Sequence, residues 1–137
     1  MLNKFEKKMG KPKKTVIIYG DWDRHGNHLK KNPPVVNNRL KDLLTKRGYK
    51  IYLINEYNTS KICNGCGKYL EKYKEKKRGE IWRLTCCVNN KCKLVKKLKN
   101  KKRIMNRDKN AVNNMYNIVE ELRNGNKKPS IFTRKTC

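Results

Sequence analysis

The stretch that decides the fold is KIYLINEYNTSKICNGCG at residues 50–67, followed after a basic interval by IWRLTCCVNNKC at residues 81–92. It begins with an apolar run rich in isoleucine, which is typical of a buried strand. Two clusters of cysteine follow, and short cysteine loops separated by such an interval are typical of a zinc site. Zn²⁺ takes four thiolate ligands in a tetrahedron, and two loops can supply them from opposite sides. The spacing therefore predicts a structural zinc ribbon placed directly after a strand.

Four cysteines are the predicted zinc ligands. Cys63 and Cys66 form the first pair, and Cys92 belongs to the second. The partner of Cys92 is either Cys87 or Cys86, and we favour Cys87 because its loop to Cys92 is the shorter one. The unused cysteine is then expected to pack as a small apolar side chain.

The composition indicates a small and strongly basic protein. The chain has 137 residues, with 37 Lys and Arg against 11 Asp and Glu, which gives a formal net charge of +26. Such an excess favours a polyanion as partner, DNA or RNA, bound through its phosphates. Lysine-rich coding in an AT-rich genome is an alternative source of the charge. Only 36% of the residues are hydrophobic, so a metal ion would help to stabilise the modest core.

The sequence contains no apolar run long enough to span a bilayer, and residues 1–14 lack the apolar core of a signal peptide. We therefore expect an intracellular protein with no membrane partner, rather than a secreted one. In a reducing compartment, clustered cysteines are expected to bind metal rather than to form disulfides.

The pattern before and after the cysteine clusters predicts an α/β protein. Residues 15–22 and 51–54 read as strands, and the helical spacing of apolar residues from 34 to Gly48 places a helix between them. Strand, helix and strand in this order predict two parallel strands. A β-hairpin is expected to turn near Gly79 between the cysteine pairs. The last helix is predicted at residues 106–123, with one apolar face formed by Ala111, Met115, Ile118, Val119 and Leu122.

Two acidic residues are candidate catalytic groups. Glu56 follows the second strand, and Asp108 lies in the first turn of the last helix. If that helix begins near the strand ends, the two carboxylates meet and could bind Mg²⁺, as in metal-dependent phosphodiester cleavage. The alternative is that Asp108 only complements the helix dipole and Glu56 is a surface residue. Asp21 and Asp23 also follow a strand, where turn formation explains them equally well.

A basic tract after Cys92 supplies candidate contacts to nucleic acid, namely Lys96, Lys97, Lys101 and Lys102. Aromatic residues also occur among the charged residues of the hairpin. They could stack on bases, although packing over a small zinc core explains them equally well.

Two of these motifs resemble signatures of a known family. EYNTSKICNGCG at residues 56–67 is similar to the E-Y-x-T-S-x-x-C-x-x-C signature, and NRDKNAVNNM at residues 106–115 to the N-R-D-x-N-A signature, of the TnpB/Fanzor family. YGDW at residues 19–22 and KPSIFTR at residues 128–134 resemble the eukaryotic and viral Fanzor branch. These proteins are RNA-guided DNA endonucleases of transposable elements, with a RuvC-like nuclease domain interrupted by a zinc ribbon.

The resemblance implies a partial RuvC-like domain of the RNase H fold with an inserted β-hairpin zinc ribbon. Glu56 would be the middle catalytic residue and Asp108 the last, with Mg²⁺ as cofactor, and a guide RNA and DNA as partners. The implied organisation is a basic mobile lead-in (1–14), the C-terminal part of the nuclease domain (15–56 and 104–125), the ribbon with its basic tract (57–103) and a tail (126–137). The nucleus or a viral factory of a host cell is the implied location.

The chain also departs from the family pattern. The first catalytic Asp of the family lies on an earlier strand, which nothing before Thr15 supplies. We therefore expect a nucleic-acid-binding C-terminal segment that is catalytically incomplete alone and completed by an upstream half. The alternatives are a non-catalytic zinc-ribbon nucleic-acid-binding protein and a basic packaging protein.

Overall fold

The computed structural model describes residues 2–21, 37–94 and 104–134. These residues belong to two compact units, an N-terminal unit within Met1–Asn55 and a C-terminal unit within Glu56–Cys137. Both contain helix and sheet, so the predicted α/β class is confirmed at this level. The boundary between the units falls immediately before Glu56.

The N-terminal unit contains the predicted strand, helix and strand. Strand β1 (Val16–Gly20), helix α2 (Asn37–Lys46) and strand β2 (Lys50–Ile54) follow a first helix, α1 (Leu2–Met9). β1 and β2 pair in parallel, from Val16 opposite Lys50 to Gly20 opposite Ile54, as the order of elements predicts. Helix α2 packs on β2, and Leu44, Tyr49 and Ile54 are buried.

Helix α1 lies in the segment for which we predict a mobile basic lead-in, and contacts within the unit explain its order. The Phe5 ring meets the Tyr49 ring edge-on, with 5.6 Å between the centroids, and the Tyr49 hydroxyl donates to the Gly10 carbonyl at 2.7 Å. Arg47 also donates to Glu6 and Asn3. The residues of α1 that make these contacts are spread among lysines, which is why the sequence pattern does not reveal the helix.

The C-terminal unit is built on a three-stranded antiparallel sheet in the order β3-β4-β5. Strands β3 (Glu71–Glu75) and β4 (Gly79–Cys86) form the predicted hairpin, and Gly79 adopts a φ of 72° at its turn, a conformation that favours glycine. Strand β5 (Ile104–Asn106) pairs with the end of β4 next to the second cysteine cluster.

Helix α3 (Arg107–Arg123) begins directly after β5. Asn106 caps it, because the side-chain oxygen accepts from the Lys109 backbone N–H at 2.9 Å. Its buried residues are Asn110, Asn114 and Ile118. The buried face therefore differs from the predicted apolar one, since only Ile118 belongs to both.

Candidate metal centre and its surroundings

The first cysteine loop is a tight turn closed by backbone hydrogen bonds. The Cys63 N–H donates to the Lys68 carbonyl at 2.8 Å, and the Gly67 N–H donates to the Cys63 carbonyl at 2.9 Å. Gly67 has a φ of 70°, which a side chain would disfavour. Gly65 leaves room for a neighbouring side chain, because a Cβ there would lie 2.6 Å from Cγ of Leu94. Gly67 thus provides the backbone conformation of the turn, and Gly65 allows Leu94 to pack against the cysteines.

The second loop connects the end of β4 to Cys92. The Cys92 N–H donates to the Asn89 carbonyl at 3.1 Å, and the Asn89 side-chain oxygen accepts from the Lys91 N–H at 3.1 Å. Asn89 therefore stabilises the loop from both its backbone and its side chain, as asparagine commonly does in turns.

The two loops bring four thiols together with the spacing that a tetrahedral zinc ion requires. The Sγ atoms of Cys63 and Cys92 are 3.7 Å apart, as are those of Cys66 and Cys87, and all four lie within 4.8 Å of one another. A Zn–S bond of about 2.3 Å gives tetrahedral S···S edges of about 3.8 Å, whereas a disulfide requires about 2.05 Å. The cluster thus has the size of a metal site.

Cys86 is not part of this four-thiol group. It is the last residue of β4 and is half-buried, with Ile104 of β5 opposite it in the register. Since successive side chains of a strand alternate between its faces, adjacent Cys86 and Cys87 cannot both reach the same centre easily. The four-thiol group therefore contains Cys87 rather than Cys86, which is the choice that the shorter loop favours.

Thiolates at these positions need a compensating positive charge. Burial raises the pKa of the Cys63 and Cys87 thiols. Burial acts in the same direction on Cys66, but hydrogen bonds from the Asn89 side chain and the Lys68 backbone N–H, together with those from the neighbouring thiols, outweigh it and lower its pKa to about 7. Four clustered thiolates repel one another, and a divalent cation offsets that repulsion.

An apolar shell surrounds the thiols. Cys63, Cys87 and Cys92 are at most 1% exposed, and Leu70, Leu94 and Met105 pack against them. Met105 belongs to β5 and Leu70 directly precedes β3, so residues from both edges of the sheet pack on the cluster. Such a shell limits water access to the site.

Two buried asparagines of α3 connect the helix to the first loop. The side-chain amides of Asn110 and Asn114 both donate to the carbonyls of Thr59 and Ile62, at 2.7 to 3.1 Å. The Asn110 oxygen also accepts from the Asn64 N–H at 3.0 Å, inside the first cysteine loop. Both asparagines are 2% exposed, so these bonds are shielded from water. We call this pair of side chains the asparagine clamp.

We expect Asn114→Ala to lower the free energy of unfolding of the metal-loaded protein by about 1–3 kcal/mol, because it removes two donors from buried carbonyls. Asn117→Ala is the matched control, since Asn117 is exposed on the same helix. Denaturant unfolding followed by circular dichroism measures both variants. Equal effects of the two substitutions would contradict the clamp.

The candidate catalytic carboxylates lie at the surface of the C-terminal unit. Glu56 and Asp108 are both exposed. Asp108 precedes Asn110 by two residues, about 200° around the helix, so it lies on the side opposite to the one that contacts Thr59. Across residues 2–21, 37–94 and 104–134, the four cysteines form the metal-capable group of three or more side chains, and no carboxylate joins it. The described carboxylates do not form a complete Mg²⁺ site.

Of the other candidate residues, only Asp21 lies in the part of the chain that the structure describes. Asp21 is exposed, and its N–H donates to the Ile54 carbonyl at 2.7 Å, which extends the pairing of β1 with β2. Asp23 lies outside the described residues, as do the four candidate nucleic-acid contacts Lys96, Lys97, Lys101 and Lys102.

Sequence reasoning misses the asparagine clamp and one further contact. The guanidinium carbon of Arg107 lies 4.0 Å from the ring centroid of Trp82. A signal for the clamp is present in NRDKNAVNNM, where Asn110 and Asn114 are four residues apart on one helix face. Asparagine is unfavourable inside helices unless its side chain has a partner elsewhere.

A scan of protein-family models and a search of curated proteins find no match for this chain. None of the helices within the described residues has the length and apolar character needed to cross a membrane.

Proposed function

We propose that this chain is a nucleic-acid-binding segment organised around a zinc ribbon, and that it is the C-terminal part of a TnpB/Fanzor-like RNA-guided DNA endonuclease. The observation that carries the proposal is the four-thiol cluster of Cys63, Cys66, Cys87 and Cys92, with its tetrahedral S···S distances. Zn²⁺ is the metal that best fits four thiolates in a small closed site. Its role is structural, because all four positions are taken by protein ligands.

The charge of the ribbon supports nucleic acid as the partner. Residues 56–94 contain ten Lys and Arg against four Glu, and all ten of these cations are exposed. Exposed cations on a rigid sheet can contact phosphates and release counterions. The hairpin turn concentrates three of them at Lys76, Lys77 and Arg78, which makes it the first candidate for phosphate contact within the described residues.

The endonuclease part of the proposal is supported by the two sequence motifs and by where they lie. The first motif runs from Glu56 through the first cysteine loop, and the second begins at the N-cap of α3. The asparagine clamp joins the two motifs through Asn110 and the Thr59 carbonyl. The parallel β1–β2 pair, which would be part of a larger sheet in a RuvC-like domain, is compatible with that family.

A zinc-ribbon module without catalysis is the second candidate function. Glu56 and Asp108 are exposed, and within the described residues they belong to no group of three metal-capable side chains, which favours this second function. In that case nucleic-acid binding remains, and Glu56 and Asp108 have no catalytic role. The cleavage experiment described in the Discussion separates the two functions.

Affinity for nucleic acid should fall steeply as salt rises. We expect the triple variant Lys76→Gln, Lys77→Gln, Arg78→Gln to bind more weakly than the unchanged protein. The slope of log K against log salt should become shallower by about 0.9 for each duplex phosphate that the variant no longer neutralises. Fluorescence anisotropy with a labelled duplex at several salt concentrations measures this slope.

The matched control for that experiment removes the same amount of charge from α1, as Lys4→Gln, Lys7→Gln and Lys8→Gln, because these lysines are also exposed. A larger decrease in affinity in the hairpin variant places the phosphate-binding surface on the ribbon. Binding of the unchanged protein that is equal at low and high salt would contradict phosphate-dominated binding altogether.

A further inference from the structure

The most exposed large apolar side chain among the described residues is Trp82, in the middle of β4. Its side chain is 68% exposed, although tryptophan gains most from burial. The aromatic residues of the hairpin have two explanations, packing over the zinc core or stacking on a ligand. The exposure of Trp82 favours the second explanation, stacking on a ligand.

The Trp82 ring is contacted by Arg107, whose side chain is held in place by a further hydrogen bond. The Arg107 guanidinium lies over it at 4.0 Å, and the same guanidinium donates to the Ser60 hydroxyl at 3.3 Å. Arg107 is the first residue of α3, directly after Asn106, which pairs with Leu84 of β4. Its backbone is therefore anchored to the strand that carries Trp82.

We propose that Trp82 and Arg107 form a stacking platform for an unpaired base of single-stranded nucleic acid. This inference rests on the proposed nucleic-acid binding and assigns it a specific contact. A tryptophan ring offers a base a large aromatic face, and such stacking depends little on base identity. Arg107 adds a guanidinium that can stack or donate to a phosphate, and it stays charged at any physiological pH.

The chemistry favours a single strand over a duplex. Bases within a duplex are already stacked on one another, so a ring presented by a sheet can accept only an unpaired or displaced base. The surrounding charge is compatible with a polyanion. Glu80, two residues before Trp82 on the same strand, forms an ion pair with Lys72 at 3.1 Å, which offsets its repulsion of phosphate.

Tryptophan fluorescence provides a direct test in the full chain. The protein has two tryptophans, Trp22 and Trp82, so Trp22→Phe leaves Trp82 as the single reporter. We expect its emission to be quenched when a single strand of about 12 nucleotides, within the range of known single-strand sites, is added. The emission should change much less with a duplex of the same sequence. Parallel titrations with DNA and RNA strands show which of the two the platform prefers.

Affinity measurements provide the second test. Trp82→Ala should weaken single-strand binding about 5- to 150-fold, Trp82→Phe should restore part of it, and duplex binding should change little. Tyr116→Ala is the matched control, because Tyr116 is an aromatic residue 63% exposed on α3. The zinc content of each variant verifies that the ribbon is intact.

The outcomes separate this inference from the proposed function. Salt-dependent binding without quenching of Trp82, and with unchanged single-strand affinity in Trp82→Ala, would overturn the platform but leave nucleic-acid binding in place. No binding of any strand or duplex by the unchanged protein would overturn both.

Discussion

Replacing Cys66 with serine should release one zinc ion per chain and unfold the ribbon. The four thiols lie within 4.8 Å of one another, and three ligands cannot close a structural tetrahedral site. Binding of structural Zn²⁺ supplies about 10–16 kcal/mol in small zinc-finger peptides, and that free energy is coupled to folding. Around the thiols themselves only a small apolar group, Leu70, Leu94 and Met105, packs, so that part of the ribbon depends strongly on the metal.

Metal analysis and limited trypsin digestion measure the result. The unchanged protein should contain one zinc per chain and resist cleavage within the strands of the hairpin, after Lys72, Lys74 and Arg83, whereas Cys66→Ser should contain none and be cut rapidly at these three residues. The digestion is sensitive at these positions because trypsin cleaves there only when the backbone can leave the sheet.

The chain offers a closely matched control in Cys86→Ser. Cys86 is adjacent to a candidate ligand but lies outside the four-thiol group, so this variant should keep its zinc and its resistance to trypsin. Loss of metal from Cys86→Ser but not from Cys87→Ser would reverse the assignment. A purified protein that is folded and reduced yet contains no metal would refute the zinc centre.

The sequence predicts the ribbon well because its determinants are local. Cysteine loops of two and four intervening residues constrain the chain by themselves, and Gly79 marks the hairpin turn through its backbone preference. The parallel pairing of β1 and β2 can be predicted equally well, since it follows from the order of strand, helix and strand. In these cases a short stretch of sequence contains all the information required.

The features that the sequence does not reveal depend on contacts between distant residues. Helix α1 is stabilised by Tyr49 and Arg47, about forty residues away. The buried face of α3 is defined by two polar residues, Asn110 and Asn114, because their partners are carbonyls of the turn at Thr59 and Ile62. A hydrophobicity pattern cannot anticipate a polar interface, and so the apolar face predicted for this helix is only partly right.

We expect the chain alone to show no nuclease activity with Mg²⁺ or Mn²⁺. Cleavage that uses two metal ions requires carboxylates on several sides of the scissile phosphate. Glu56 and Asp108 are exposed, and within the described parts of the chain they do not join a group of three metal-capable side chains. In the family that the motifs resemble, a further Asp on an earlier strand completes the site.

Addition of a companion fragment that carries this earlier strand should restore cleavage. The sheet of the N-terminal unit could accept it, because β1 and β2 form a two-stranded parallel sheet on which Val16, Tyr52 and Leu53 are more than half exposed. Parallel sheets are normally covered on both faces and contain more strands. A fragment that pairs with either edge would bury part of this apolar surface.

The restored activity should depend on both candidate carboxylates. Glu56→Ala and Asp108→Ala should each reduce cleavage at least about 100-fold, because removal of a metal ligand takes several kcal/mol of charge stabilisation from the transition state. Asp42→Ala is the matched control, since Asp42 is an exposed carboxylate on α2. Single-turnover cleavage of a labelled DNA target, measured with the companion fragment and its guide RNA, gives the three rates.

The same assay on the chain alone decides between an incomplete nuclease and a nuclease in its own right. Metal-dependent cleavage by the unmodified chain that both Glu56→Ala and Asp108→Ala abolish would show that the site is complete within this chain. It would require a further carboxylate from this chain, which alanine substitutions of its remaining acidic residues would identify. Activity that survives both substitutions would show that neither Glu56 nor Asp108 takes part in cleavage.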